Sequence, residues 1–415
     1  METLFAIALS IMAFGLVSGR IEQSIITPPM IFVGFGLLIG RWGLAVVPHD
    51  IDTPIVHSLA TITLVLVLFT DAARIDLNLL GREHDLPLRL LGVGLPLTIA
   101  IGLLGAAVLL HGIAMWEAAL VAAILAPTDA ALGQAVVNSP KLPVQIRQTL
   151  NVESGLNDGL VLPVVLLFLS FAAGQHDKET GEWLWFVSKQ VCLGPSVGFA
   201  VGFVGGKLVM WGQRTEWMNH SFQDLSSLGL SLLAFAAAEL VGGNGFIAAF
   251  CAGLALGNTA RSVCTCLYEF AEAEGQLLTL LVFTVFGAIM VPAALENFRW
   301  NHLVYAMLSL TLIRMLPVAV AMAGRRLRWQ TLLFLGWFGP RGIASILYVL
   351  LLLDESSIAG KDVILSVVMT TVLLSVFAHG LTAFPGTNWY ATYTDQTDSS
   401  AAEHEQVAEM PVRFP

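Results

Sequence analysis

Charge is scarce in this chain. Of 415 residues only 12% are Asp, Glu, Lys or Arg, about half the share of a soluble globular protein, while 56% are hydrophobic. That deficit excludes a water-soluble globule and marks an integral membrane protein. The 20 Lys and Arg stand mostly singly, so no basic stripe exists for nucleic acid. The net charge of -10 arises partly in a short polar tail and identifies no partner. Cysteine is equally sparse. Cys192, Cys251, Cys264 and Cys266 show no metal-finger spacing and read as inert thiols. HExxH is absent and the nine histidines are dispersed, which argues against a membrane-embedded enzyme. The first residues, METLFAIALSIMAFGLVSG, lack a basic n-region and read as a spanning helix rather than a cleaved signal.

What is present is hydrophobic length. A bilayer core takes about 20 apolar residues per helix, with shorter or tilted spans permitted. Thirteen stretches qualify, at about 3–19, 25–40, 55–73, 86–110, 116–137, 150–173, 186–211, 225–240, 244–258, 277–295, 303–323, 331–353 and 363–383. Thirteen Lys and Arg residues, those of RRLR at 325–328 among them, then fall on one side, and only Arg41, Lys178, Lys189, Arg299 and Lys361 on the other. The positive-inside rule expects an external N-terminus and a cytoplasmic C-terminus. Residues 1–385 form the membrane domain and 386–415 a short polar cytoplasmic tail, too polar to build a core.

The sixth span contains NVESGLNDG (151–159), a stretch polar enough to pass for a loop. The apolar run after it supplies only 14 residues, so the span must begin near Leu150 and take the polar stretch into the helix. Asp158 then lies about 16 Å from Arg147 along the axis, Asp129 about 13 Å from Asn138, and Arg341 about 19 Å from Arg328. Three charges on three helices reach one depth. With Glu153 they cost on the order of 12 kcal/mol unless paired or hydrated. One buried salt bridge would leave two acids over, so these residues point to an ion or proton pathway. At 100° per residue Ser154 and Asp158 share a face, whereas Glu153 and Asp158 point apart.

Thirteen spans divide as six, a linker helix and six, with the second half inverted. The fifth and twelfth spans are then equivalent, and each carries a proline beside a charge: APTDA (126–130) and GPRG (339–342). Proline removes a donor, so both helices are expected to break at mid-depth, where freed carbonyls face an ion. The fold class is an all-α polytopic membrane protein with a 6+1+6 inverted repeat and broken crossing helices. Arg314 on the eleventh span reads as a carbonyl or acid partner rather than an ion ligand.

ESGLND (153–158), PTDA (127–130) and GPRGIAS (339–345), in that order on those helices, resemble the monovalent cation/proton antiporters, in particular the electroneutral NhaP-like branch related to sodium/proton exchangers. The resemblance covers the membrane part to about Trp389. It implies the NhaA/NhaP-like antiporter fold and a homodimer in the cell membrane. Each protomer has a dimerisation part and a mobile six-helix core at about 86–173 and 301–384. It also implies that Asp158 binds the ion and the proton, with Asp129, the Thr128 backbone and Ser154 completing the site. Glu153 is the expected partner of Arg341, and Asp71 the acid near the cytoplasmic funnel. Asn157 stands where electrogenic relatives carry a second aspartate, which implies one-for-one exchange. Na+ is the expected cation, with Li+ and K+ as alternatives. No cofactor is implied beyond the transported ions. A passive cation channel is the competing class, and an ionisable mid-membrane acid between inverted halves suits it less well.

Overall fold

The computed structural model describes residues 2–21, 24–47, 54–83, 85–174, 180–219, 222, 225–260, 275–353, 357–396, 402–405 and 407–410. Cys264, Cys266 and the acidic stretch EFAEAE lie outside them. The described chain is all helical. In order run α1 (Glu2–Ile21), α2 (Pro28–Ile39), α3 (Pro54–Ala73), α4 (Leu77–Glu83) and α5 (Asp85–Leu109). Next come α6 (Met115–Ile124), α7 (Ala130–Val137), α8 (Val144–Ala172), α9 (Thr180–Arg214), α10 (Ser226–Leu240) and α11 (Gly245–Thr259). They are followed by α12 (Gly275–Glu296), α13 (Trp300–Ala321), α14 (Trp329–Trp337), α15 (Ile343–Leu353) and α16 (Lys361–Asp395). Among the described residues, six helices are long and apolar enough to cross a membrane, and seven shorter apolar helices accompany them.

The polar stretch NVESGLNDG lies inside α8, which runs unbroken for 29 residues. Every residue from Asn151 to Gly159 is buried. Asn, Ser and Gly favour helix weakly, so packing on all sides, rather than propensity, holds the stretch helical.

Two places do break, and both contain the prolines. Residues 125–129 separate α6 from α7, and residues 338–342 separate α14 from α15. Unwound backbone inside a membrane must find its donors and acceptors within the protein. The two breaks satisfy each other by crossing. The Asp129 amide donates to the Pro340 carbonyl at 2.8 Å. The Asp129 carboxylate caps α7, accepting from the amides of Ala131 (2.7 Å) and Leu132 (3.3 Å), and its other oxygen accepts from the Ile343 amide at the start of α15 (2.5 Å). Ser345 donates to the Ile124 carbonyl at the end of α6 (2.7 Å). One acid therefore caps two half-helices on two chain segments, where the positive helix ends favour a negative charge.

The glycines of GPRG make room for this arrangement. A Cβ on Gly342 would overlap the Asp129 carboxylate, and one on Gly339 would sit 2.6 Å from Arg314 Nε.

Elsewhere glycines weld helices together through backbone contact. On α11, Gly253 lies against the Phe69 carbonyl and Gly257 against the Ala73 carbonyl of α3. Gly36 of α2 and Gly40, which caps its end, lie against the carbonyls of Thr284 and Ala288 on α12. Both pairs of glycines are four residues apart, so each lines one helix face and permits close approach.

The end of the chain departs from expectation. A boundary at 386 falls inside α16, which continues to Asp395, and residues beyond it fold back. Glu403 is buried and accepts from the Arg328 amide (3.0 Å) and the Thr331 hydroxyl (2.9 Å) at the start of α14. Gln148 of α8 exchanges two hydrogen bonds with the Met410 backbone, at 3.1 and 3.3 Å. Polarity forbids this segment a core of its own, but the open amides of a helix start offer it partners.

Gly342→Ala is expected to displace Asp129 from the Ile343 amide and cost about 1–3 kcal/mol, the range for orphaning a buried polar group. Thermal unfolding in detergent measures it, and an unchanged midpoint would contradict the crossing described here.

Candidate functional site

The acids and arginines gather around the crossing, but not in the expected pairing. Glu153 on α8 is held by Arg314 of α13 through two hydrogen bonds, Nη1 to Oε1 at 2.5 Å and Nη2 to Oε2 at 2.7 Å. Both side chains are 2–3% exposed. This is the planar fork-to-fork geometry that suits guanidinium to carboxylate. Arg341, the partner expected for Glu153, is turned elsewhere. Its Nη1 donates to the carbonyls of Gly339 (2.9 Å) and Pro127 (3.3 Å), and its amide donates to the Ser375 hydroxyl (2.7 Å). The reason is local: unwinding frees both carbonyls, Gly339 on Arg341's own break and Pro127 on the break that crosses it. Arg314 reaches Glu153 by passing over Gly339, where no side chain blocks it. The reading of Arg314 as an acid partner is thus realised, with Glu153 as the acid.

Thr128, at the other break, meets α8 through its hydroxyl. Thr128 Oγ1 lies 2.9 Å from Ser154 Oγ and accepts from Asn157 Nδ2 at 2.7 Å. Asn157 Oδ1 is buried and has no hydrogen-bond partner among the described residues. Asp158 follows directly on α8, 6% exposed, one turn beyond Ser154. Its main-chain carbonyl accepts from the Tyr348 hydroxyl of α15 at 2.7 Å. The cluster thus presents one carboxylate, two hydroxyls and an amide oxygen, the hard oxygen donors that an alkali cation takes.

Asp129 stands apart from that set. Both its oxygens serve backbone amides, so its position is that of a clamp on the crossing. Asp71 is buried in the last turn of α3, which stops at Ala73. Its carbonyl lies 3.8 Å from where a Cβ on Gly155 would be, which sets Asp71 about one turn from Asp158 towards the Val144 end of α8.

The surroundings of Asp158 differ in its two directions along α8. Towards Val144 the buried residues include Asp71, Arg74, Asp76, Gln148 and Asn151. Towards Ala172 a small cavity between α3, α11 and α15 is lined by Ala60, Thr61, Leu64, Phe246, Leu347, Leu350 and Leu351. Charged and amide side chains gather on one side of the acid, and mostly hydrocarbon side chains, with Thr61 among them, on the other.

Sequence reasoning missed Tyr348, Ser345 and Ser375, whose partners lie on distant segments. It also passed over the GPRG glycines, for which the motif's own spacing was a usable signal. GPSVG (194–198) fits a GxSxG nucleophile pattern, but it lies inside α9, where Ser196 donates to the Cys192 carbonyl at 2.7 Å. That context lacks the strand-to-helix turn such a nucleophile requires.

Crossed half-helices with buried acids at the crossing define a polytopic membrane protein of the transporter type. A family described as "Sodium/hydrogen exchanger, transmembrane" matches residues 5–389, and the chain belongs to that family. Among similar curated proteins, the K(+)/H(+) antiporter NhaP of Alkalimonas amylolytica is 23% identical over 90% of this chain and 64% of its own length. The K(+)/H(+) antiporter NhaP2 of Shewanella sp. (strain MR-4) is 25% identical over 85% of this chain and 60% of its own. The chain thus spans about three-fifths of the length of these relatives. The sodium proton antiporter MjNhaP1 of Methanocaldococcus jannaschii has the same fold, with a TM-score of 0.76 at 21% identity over 95% of this chain and 99% of that one.

Glu153→Ala is expected to leave Arg314 buried without its acid and to cost about 3–5 kcal/mol, whereas pairing it with Arg314→Met recovers part of the loss. Denaturation of the single and double variants in detergent checks the pair. Equal losses from Arg341→Met and Arg314→Met in the Glu153→Ala background would contradict it.

Proposed function

We propose that the chain is a secondary active antiporter that exchanges Na+ for H+ one for one by alternating access. One observation carries the reading. Of the buried acids at the crossing, Glu153 is paired with Arg314 and Asp129 caps backbone amides, while Asp158 stands one helical turn from Ser154, whose hydroxyl meets that of Thr128. Asp158 is then the exchangeable carboxylate, and Asn157 beside it adds an oxygen but no second charge.

Asp158 binds either a proton or a cation, and in both forms the core carries no net change of charge across the membrane. The empty carboxylate is held back by the cost of moving a bare charge through a low-dielectric region. Exchange is therefore coupled and electroneutral. Thr128, Ser154 and Asn157 supply neutral oxygens, Asp71 draws cations towards the site, and Asp129 keeps the two half-helices in register around it. Asp129 differs from the rest of the expected ligand set in that both its carboxylate oxygens accept from backbone amides.

The thirteen-span inverted repeat is supported by the equivalent breaks before α7 and α15. The glycine pairs of α2 and α11, each seated on carbonyls of a neighbouring helix, support it too. The charge bias supports a cytoplasmic C-terminus, and the fold supports a homodimer in the cell membrane with the core moving against a fixed dimerisation part.

K+ is the second reading, favoured by the names of the curated relatives, since oxygen donors alone do not separate the two ions.

Asp158→Asn is expected to insert and fold yet show no cation-dependent proton movement in vesicles carrying a pH gradient. Wild-type exchange in that variant would remove Asp158 from the site. The same assay with Na+, Li+ and K+ ranks the cations, and a rate insensitive to imposed voltage is the expected sign of one-for-one exchange.

A further inference from the structure

Two glycines flank the candidate ion carboxylate on α8, four residues apart, and both face helices outside the core. Gly155 meets α3 at Asp71 and Ile75. Gly159 meets α11, where a Cβ would overlap the Phe250 ring at three of its atoms. Gly159 and Phe250 are both buried. Gly245 at the start of α11 likewise meets a ring, that of Phe235, but the other close glycine contacts of α11 differ in kind. Gly253 and Gly257 rest on backbone carbonyls of α3, and Gly198 and Gly202 of α9 rest on the carbonyls of Ala248 and Ala252. Backbone against backbone leaves nothing to move. A ring seated on a bare helix surface can withdraw by a side-chain rotation or by a shift of the whole helix.

The position of the ring matters as much as its mobility. Gly159 adjoins Asp158, and Phe246, one turn from Phe250 on α11, lines the small cavity with Thr61, Leu64, Leu347, Leu350 and Leu351. Phe250 thus links the stretch of α8 beside Asp158 to the helix whose Phe246 lines the cavity.

We propose that Phe250 is the residue that closes the Ala172 side of Asp158, with Gly159 as its seat, so that this pair keeps the site open to one side at a time. The proposal rests on the alternating-access reading above. A side chain at 159 keeps the ring from seating, and a smaller residue at 250 leaves the seat unfilled; each breaks the seal by a different route.

The experiment uses the full chain in vesicles, with two readouts: cation-coupled proton exchange, and proton leak without a cation gradient. Gly159→Ala is expected to lower coupled exchange by about tenfold or more, and Phe250→Ala to raise leak several-fold. Gly159→Ala combined with Phe250→Leu, whose shorter side chain accommodates the added methyl, is expected to return to within about threefold of Phe250→Leu alone, as sites in contact are coupled. Wild-type exchange in Gly159→Ala overturns the proposal, and so does a double variant as inactive as Gly159→Ala. If Gly159→Ala fails to fold, Phe250→Ala decides: unchanged exchange without leak overturns the gate. Wild-type exchange in Asp158→Asn would sink the site reading instead, and it is scored separately from leak and rescue.

Discussion

The structure turns on the cost of leaving backbone polar groups unpaired where water cannot reach them. Pro127 and Pro340 open two helices at mid-depth, and each opening strands amides and carbonyls in an apolar surround. Crossing the two openings lets one repair the other. Asp129 is central because its carboxylate accepts from Ala131 and Leu132 on its own segment and from Ile343 on the other. Arg341 completes the repair from the opposite side by donating to the Pro127 and Gly339 carbonyls. Both side chains are charged because both ends of a broken helix carry partial charge.

With the crossing secured in this way, the remaining charges can be assigned. Glu153 and Arg314 neutralise each other in full burial, tying α8 to α13 beside the breaks. Such a pair adds little stability over an apolar substitute, but removing one partner is severe, so it fixes geometry more than it stabilises. Thr128 then places its hydroxyl against Ser154 and Asn157, and Tyr348 anchors the Asp158 carbonyl to α15. The acids at the crossing are told apart by their partners rather than by depth.

The same economy of side chains governs how parts of the molecule meet. Between α3, α9 and α11, glycines bring backbone onto backbone and make a rigid assembly. Between α8 and α11 a glycine meets a ring, a contact that can open. Close packing is bistable rather than continuously deformable, so a boundary of this kind is where the proposed movement would fall.

Much of this was legible in the sequence, and what was not shares one cause. Hydropathy placed NVESGLNDG within a helix, and proline beside charge located both breaks, because these signals act over one or two helical turns. Span length likewise put Asp158, Asp129 and Arg341 at one depth, and helical period turned Glu153 away from Asp158. They could not choose between Arg314 and Arg341 as the partner of Glu153, since both guanidiniums reach that depth and only helix rotation and the gap at Gly339 decide. Nor could they show that Asp129 receives an amide from residue 343, that Phe250 covers Gly159, or that Glu403 and Met410 dock on α14 and α8. The sequence by itself determined a membrane-embedded chain with a charged, twice-broken centre. The tertiary structure decided which charge serves which role, because burial and periodicity are properties of single helices whereas pairing depends on how separate helices are turned towards one another.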